Sequence, residues 1–391
     1  MENPVLLSGA RTPIGAFMGS LSELTGPQLG TAAIKAALER SGVKPDEVNE
    51  VYMGSVLTGG VGQAPARQAS LGAGIPNTVP CTTINKVCGS GMKTIILGAQ
   101  TIMTGDNKIV VAGGMESMSN APYILPKARN GYKMGNGTLV DSMINDGLWD
   151  PYNNFHMGNC GEICARDVKI SREEQDEFAI RSFKLANEGL DNGWFSEEIV
   201  AVNAPKGKET VSITEDEGPR KVKYDKIPTL KPSFDKAGTI TPANASSIND
   251  GAAATIVASE SYAAEHGLKP TAKILAYSSS AQEPHLFTTA PIVSIEMVLK
   301  RAGMSVGDID LFEINEAFAV VPIAAERRLN IPREKLNVMG GAIALGHPIG
   351  ASGTRIVLTL LTALKRQNKK IGLASICIGG GEATSIIVER L

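Results

Sequence analysis

Positive charge in excess, aromatic residues and long apolar runs are what this 391-residue sequence has little of. Lysine and arginine number 38 against 40 aspartates and glutamates, a net charge of −2, so nothing draws the chain generally to nucleic acid or to an anionic membrane. Aromatics make up 5% and no basic stripe interleaves with them, which removes the usual stacking platform for single strands. No apolar run approaches bilayer-spanning length, and Met1-Glu2-Asn3-Pro4 has neither the basic nor the apolar region of a secretory leader. The closing Glu389-Arg390-Leu391 is not a persuasive peroxisomal address, so a cytoplasmic location is the expectation. Cysteines are few and scattered (Cys81, Cys88, Cys160, Cys164 and Cys377), an odd number that reads as reduced thiols. Cys160 and Cys164 have no second Cys/His pair of matching spacing, so one face of a helix explains them better than a metal site.

What is present in abundance is glycine, 42 residues, several of them beside cysteine or histidine. In Thr82-Thr83-Ile84-Asn85-Lys86-Val87-Cys88-Gly89-Ser90-Gly91-Met92-Lys93 a β-prone run meets one with helical spacing, Met92, Ile95, Ile96 and Ala99. Cys88 therefore sits where a strand turns into a helix. The free N–H groups and the dipole there favour an anion, and the thiol is expected to lose its proton more easily. Small residues at 89–91 would let a substrate carbonyl approach. The plainer alternative is a buried cysteine in a tight packing turn.

The chain also repeats itself. Residues 37–48 match 298–309, each ahead of a short strand. Cys88–Lys93 lines up with Gly350–Arg355, each opening a helix, and Ile109–Gly114 with Ala374–Gly380, each a strand ending in glycines. Three blocks in the same order at nearly constant offset imply an internal duplication. Strands alternating with helices give an α/β layered sheet in each half, packed about a pseudo-twofold axis that brings the duplicated turns to one central site. Between the halves lies a segment of different texture with both tryptophans, which sets the expected domains: 1–117, an inserted 118–249, a return over 250–270, and a second half over 271–391. Within the insertion, Ser171-Arg172-Glu173-Glu174 reads as a capping box. Thr214-Glu215-Asp216-Glu217, followed by Arg220, Lys221, Lys223, Lys226 and Lys231, reads as a solvated loop or, functionally, as a cationic lip for a phosphorylated ligand.

Candidate chemistry gathers at the ends of the repeated blocks. His347, one of only four histidines, lies between Gly346 and Pro348 just before the helix that duplicates the Cys88 helix. Cys377 ends a strand before Gly379-Gly380-Gly381, whose N–H groups could face an oxyanion, and Asn315 could hold a water. Two thiols and one imidazole on tight turns suit a two-step carbon chemistry. One thiolate takes an acyl group while the histidine accepts its proton, and the other removes a proton beside a thioester carbonyl. A redox pair is the competing use, but no Cys-x-x-Cys occurs, and the glycines near Cys88 miss the phosphate-loop spacing.

The blocks Asn85-Lys86-Val87-Cys88-Gly89-Ser90-Gly91, Asn315-Glu316-Ala317-Phe318, Gly346-His347-Pro348 and Cys377-Ile378-Gly379-Gly380-Gly381 resemble the thiolases, as do Ala10–Gly15 and Val111–Ser119. The resemblance runs from end to end. It implies a duplicated αβαβα five-layer fold with an inserted loop domain that binds coenzyme A. It implies Cys88 as the acylated nucleophile, His347 as its activator, and Cys377 as acid/base at the second substrate's α-carbon. One oxyanion hole would be His347 with a water on Asn315, the other the N–H groups of Cys88 and Gly379. Within the family the chain is most similar to the acetoacetyl-CoA thiolases, through Asp150–Gly158 with its bulky His156-Met157 pair, which would restrict the pocket to short acyl groups; plain packing is the other explanation of His156. By the same similarity Tyr152, Lys221, Lys226 and Ser246 contact coenzyme A, with Ala317 and Phe318 beside the substrate. No cofactor is required, coenzyme A being substrate and product. Tyr152, Pro242, Ala243, Ala245 and Ile343 fall where potassium-activated members bind that ion. A homotetramer is implied, joined through Asn120–Asn145, as are acetyl-CoA and acetoacetyl-CoA as small-molecule partners. The alternatives are a thiolase of β-oxidation acting on longer 3-ketoacyl-CoA and, more remotely, a non-catalytic acyl-CoA or lipid carrier.

Overall fold

The structure, a computed structural model, describes residues 2–391. The first half runs β1 (Pro4–Arg11), α1 (Gly26–Ser41), β2 (Glu50–Gly54), α2 (Pro65–Gly72), β3 (Cys81–Ile84), α3 (Ser90–Thr104) and β4 (Ile109–Ser117). The chain then leaves to build α4 (Met157–Val168) and α5 (Arg172–Asp191), and returns as β5 (Asn249–Ser259). The second half repeats the plan as β6 (Ala272–Ala281), α6 (Ala290–Ala302), β7 (Leu311–Ile314), α7 (Val320–Leu329), α8 (Ser352–Arg366), β8 (Ile371–Ile378) and β9 (Glu382–Arg390). In the first half β1 and β5, and β5 and β4, are antiparallel, while β4, β2 and β3 are parallel. The second half copies this with β6, β9, β8 and β7. Only the counterpart of β3 is reduced, to a single parallel bridge between Phe312 and Leu336.

The expected separate sheets turn out to be joined. Val5 pairs with Lys273 and Leu6 with Ala272, so the path β7-β8-β9-β6-β1-β5-β4-β2-β3 is continuous through a two-residue seam. In the first half the residues of β4 and β5 are buried on both faces, as strands covered by helices on both sides must be. Alternate residues serve alternate layers. Val111 and Ile256 meet Leu29 and Ile34 of α1 on one outer side. Val110 and Val257 meet Ile95 and Ile96 of α3 and Ile356 and Leu360 of α8 in the middle. On the other outer side Ile295 and Val298 of α6 and Val320 and Ile323 of α7 pack with Ile314 and Leu373. That is helix, sheet, helix, sheet, helix in order across the molecule. Helices α4 and α5 of the insertion add Cys160, Cys164 and Phe178 to the last of these cores.

The middle layer is held by an unusually close crossing. A Cβ on Gly353 would lie 2.3 Å from the backbone nitrogen of Met92, and one on Gly91 would lie 2.8 Å from that of Thr354. Thr354 Oγ1 donates to Gly91 O at 2.9 Å across the same contact. Gly91 and Gly353 are equivalent residues of the two copies, so the pseudo-twofold axis passes between the starts of α3 and α8.

Other sequence expectations meet their structure in the insertion. Ser171 and Glu174 form the capping box at the head of α5, and Cys160 and Cys164 are buried on α4. The acidic run is solvated only in part: Thr214 and Glu215 are exposed as expected, but the two carboxylates after them are not free. Asp216 is buried and takes a two-pronged bond from Arg11 on β1, at 2.7 and 2.8 Å, while Arg11 Nε donates to Glu198 at 2.7 Å. Glu217 accepts from the backbone N–H groups of Ala16 and Ser20. The insertion is thus fastened to β1 by a desolvated guanidinium with two carboxylates. Removing one partner of such a set strands the other charge and costs about 3–5 kcal/mol. The variant Asp216→Ala is expected to lower the urea midpoint accordingly, while Lys221→Ala, on an exposed side chain, stays within about 0.5 kcal/mol of wild type; equal stabilities in urea titration would refute the fastening role.

Candidate active site

The loop between β3 and α3 carries Cys88 half-buried. Val87 before it takes φ +44°, a left-handed conformation that costs a β-branched residue energy and needs outside support. Support comes from both sides. Val87 N–H donates to Asn85 Oδ1 at 3.0 Å, and Lys86 N–H donates to Ser90 Oγ at 2.8 Å. The Ser90 hydroxyl donates onward to Val87 O at 2.6 Å. Lys86 is also ion-paired with Glu382 of β9, which joins this loop to the one after Cys377.

Cys377 is fully buried near the end of β8, and Gly380 and Gly381 beyond it have φ +91° and +88°, where a side chain would be strained. This turn delivers the N–H of Gly379 to the Cys88 sulfur, which the N–H of Cys88 itself also approaches. His347 lies on the turn ahead of α8. Its N–H donates to Asn249 Oδ1 at 2.9 Å, its Nδ1 is 2.6 Å from Ser352 Oγ, and its Nε2 is buried without a protein partner. Asn315 follows β7. Its Oδ1 accepts from Arg355 at 3.3 Å, and because a guanidinium only donates, the amide orientation is settled. That leaves Nδ2 buried and unpartnered too.

One cavity of about 290 Å³ collects the key groups. Cys88, His347 and Gly379 line it together with His156, Met157, Ser246, Ala317 and Phe318. His156 caps α4, its Nδ1 accepting from Gly158 N–H at 3.0 Å, and its ring stacks on Phe234 with centroids 4.7 Å apart. Phe318 meets Phe234 edge-on at 6.2 Å, and Ser246 donates to Ala317 O at 3.0 Å. The wall also includes Met118, Leu148, Phe234, Phe287 and Ile349, which the sequence reading did not single out. These are lone apolar residues in polar or glycine-rich surroundings, with no periodicity to flag them. Cys377 and Asn315 stand behind the lining rather than in it. Tyr152, Lys221 and Lys226 are not part of the wall. Tyr152 is 72% exposed, Lys221 lies 3.5 Å from Glu217, and Lys226 is on an exposed turn. Among the described residues no group of three or more His, Cys, Asp or Glu side chains could hold a metal.

Electrostatically the site differs from the sequence expectation. Burial pushes the Cys88 thiol up to about 11, outweighing the two N–H groups that favour the thiolate. Burial, with the charge of Arg355, pushes His347 down to about 3. Cys377 is held well above the usual thiol range by burial and by neighbouring Cys88. Burial thus favours neutral thiols and a neutral imidazole in the resting site over a preformed thiolate–imidazolium pair.

Small, largely apolar and bordered by a thiol and an imidazole from two separate loops, with a second thiol behind it near the end of β8, this is a site of the class that transfers acyl groups through a protein-bound thioester. Comparison with known proteins agrees. Residues 4–261 match the family profile described as thiolase, N-terminal domain, and residues 268–390 match thiolase, C-terminal domain. A probable acetyl-CoA acetyltransferase of Dictyostelium discoideum is 52% identical, covering all of this chain and 95% of that one. An acetyl-CoA acetyltransferase of Cupriavidus necator is 52% identical over the whole of both chains. The crystal structure of the Bacillus anthracis acetyl-CoA acetyltransferase superposes with a TM-score of 0.98 at 40% identity, over 100% of this chain and 99% of that one. The chain belongs to the thiolase family.

The neutral resting pair has a direct consequence. Since only the thiolate reacts, the rate of Cys88 alkylation by iodoacetamide, followed by mass spectrometry, is expected to climb about tenfold per pH unit from 7 to 9. A rate already level across that range would mean a preformed ion pair instead.

Proposed function

We propose that this chain is an acetyl-CoA C-acetyltransferase. It joins two acetyl-CoA into acetoacetyl-CoA and coenzyme A, and catalyses the reverse thiolysis, by a ping-pong route through acetyl-Cys88. The observation that carries this reading is the single cavity shared by Cys88, His347 and Gly379, with two backbone N–H groups turned on the sulfur.

In the thiolysis direction His347 Nε2 takes the Cys88 proton and the thiolate adds to the 3-keto carbon. The N–H groups of Cys88 and Gly379 hold the resulting oxyanion. The C2–C3 bond then breaks. The departing enolate, held by His347 and a water on Asn315, takes a proton at C2 from the Cys377 thiol, and acetyl-CoA leaves. Free coenzyme A next gives its proton to the Cys377 thiolate and attacks acetyl-Cys88. The Cys88 sulfur leaves and recovers its proton from His347. The raised Cys377 fits this order, because the residue must begin as an acid. Condensation runs the same steps backward.

The walls support a short acyl chain. His156, stacked on Phe234, and Met157 close the cavity around Cys88, and its volume lies at the low end of the about 300–1,000 Å³ typical of small-molecule pockets. The reading is tested by a chain-length profile of thiolysis: acetoacetyl-CoA is expected to be the best substrate. Cys88→Ala should abolish both turnover and labelling by radioactive acetyl-CoA. Met157→Ala should shift preference toward a six-carbon 3-ketoacyl-CoA by about 10–100-fold. Labelling that survives Cys88→Ala, or a wild type that prefers long chains, would refute it.

Two further features of the reading concern assembly and ions. Segment 120–145 exposes Tyr123, Leu125, Met134 and Leu139 around a short Tyr123–Asp141, Ile124–Val140 ladder, which supports its use in a homotetramer. The carbonyl oxygens of Pro242, Ala243 and Ala245 accept no hydrogen bond from the described residues, a donor set suited to a hard cation. Potassium held there, with Ile343 O and Tyr152, would order the loop next to Phe318, to which Ala245 is bridged. Sedimentation and thiolysis in potassium against sodium buffer check both: a four-protomer particle and a faster rate in potassium are expected, and a monomer or equal rates would dismiss the respective feature.

A further inference from the structure

His347 can serve as a base at Nε2 only if its single neutral-state proton sits on Nδ1, so the partner of Nδ1 decides whether the site works. That partner is Ser352, the first residue of α8, fully buried, with Oγ 2.6 Å from Nδ1 and 3.0 Å from Pro348 O. A hydroxyl has one proton to give. If it goes to Pro348 O, the imidazole must be the donor.

The duplicated half shows which way such a serine is polarised. Ser90 is the equivalent first residue of α3, and it also bonds to the loop carrying its own half's reactive residue. There the direction is fixed, because Lys86 N–H can only donate, so Ser90 Oγ accepts from it and gives its proton to Val87 O. Ser352 likewise stands between a nitrogen and a carbonyl of its own turn, one residue further back along the chain and with a ring nitrogen in place of a main-chain one: Nδ1 of His347 and Pro348 O. Pro348 O also receives the Ala351 and Ser352 N–H groups, so this turn is rigid where the hydroxyl meets it.

We propose that Ser352 is the positioning residue of the base: its hydroxyl accepts the Nδ1 proton of His347 and donates its own to Pro348 O, which leaves the Nε2 lone pair free on the side of the cavity shared with Cys88. Three observations carry this. Nε2 is buried with no protein partner, so nothing else in the chain orients the ring from that side. The His347 backbone N–H is pinned to Asn249, so the ring has little latitude except about its side-chain torsions. And Ser90, the pseudo-symmetric serine, shows that a serine at this helix start accepts from a nitrogen and donates to a carbonyl of its own turn. Ser352 touches no substrate; it acts through His347.

This rests on His347 being the base, and the experiment keeps the two apart. In enzyme labelled with nitrogen-15 histidine, where only four imidazoles resonate, wild-type His347 is expected as the Nδ1–H tautomer at neutral pH. In Ser352→Ala the tautomers should mix and kcat for thiolysis of acetoacetyl-CoA should fall about 10–100-fold with KM nearly unchanged, the size seen when the hydrogen-bond partner that orients a metal-binding imidazole is removed. A wild-type His347 protonated at Nε2 overturns the proposal without any variant, so a variant that fails to fold leaves it testable. An unchanged tautomer and kcat in folded Ser352→Ala overturn it as well. The Nδ1–H tautomer in a wild type that does not turn over acetoacetyl-CoA would instead count against the function and leave the role of Ser352 standing.

Discussion

The approach of two helix starts is the constraint on which the rest of this molecule depends. Gly91 of α3 and Gly353 of α8 pass so closely that a single added carbon on either would meet the other helix's backbone. Only there can the ends of both half-sheets, and the loops that follow them, face one another. The nucleophile loop belongs to the first helix and the histidine turn to the second, so bringing the helices together brings the two residues to one cavity. Packing side chains could not achieve this, because any residue larger than glycine at the crossing would hold the loops apart by the thickness of its own Cβ.

The same closeness sets the electrostatics. A helix start is worth about 0.3–1 kcal/mol to an anion at its mouth, and on that count the Cys88 thiol should ionise readily. Moving a thiolate out of water costs more than that, and the packing around Cys88 desolvates its sulfur. Burial therefore decides the resting state: thiols up, imidazole down. In such a site the dipoles that matter are those already aimed where charge will develop. Backbone N–H groups of Cys88 and Gly379 are fixed by the fold and need not reorient when the oxyanion forms.

Much of this was legible in the sequence because duplication leaves a record that survives without a structure. The repeated blocks placed Cys88, His347 and Cys377 at equivalent strand or helix ends and pointed to one centre. What stayed hidden depended on partners far away along the chain. Asp216 sits in a run of acids and looks solvated until Arg11, 205 residues earlier, is seen folded against it. The seam between the half-sheets consists of two residue pairs and has no compositional mark. Lys221 and Lys226 are exposed and lie outside the cavity wall. Ser352 was in view as the counterpart of Ser90, but its meaning required knowing which nitrogen it meets.

Duplication by itself would give two equivalent pockets, yet among the described residues Cys88, His347 and Gly379 of the two halves share a single cavity. The difference lies in how each half connects the last antiparallel pair of strands. In the second half β8 reaches β9 through Gly379, Gly380 and Gly381, a turn so short that its backbone N–H is presented bare to the neighbouring sulfur. In the first half the equivalent connection, from β4 to β5, runs through residues 118–248 and returns with His156, Met157 and Phe234, which cover the ground above Cys88. One connection contributes donors and the other contributes walls. The two roles are incompatible in a single loop, because a wall of side chains would bury the N–H groups that the bare turn offers. A duplicated fold resolves this by specialising its copies, so the asymmetry of the loops, not of the sheets, makes the centre a site for small acyl groups.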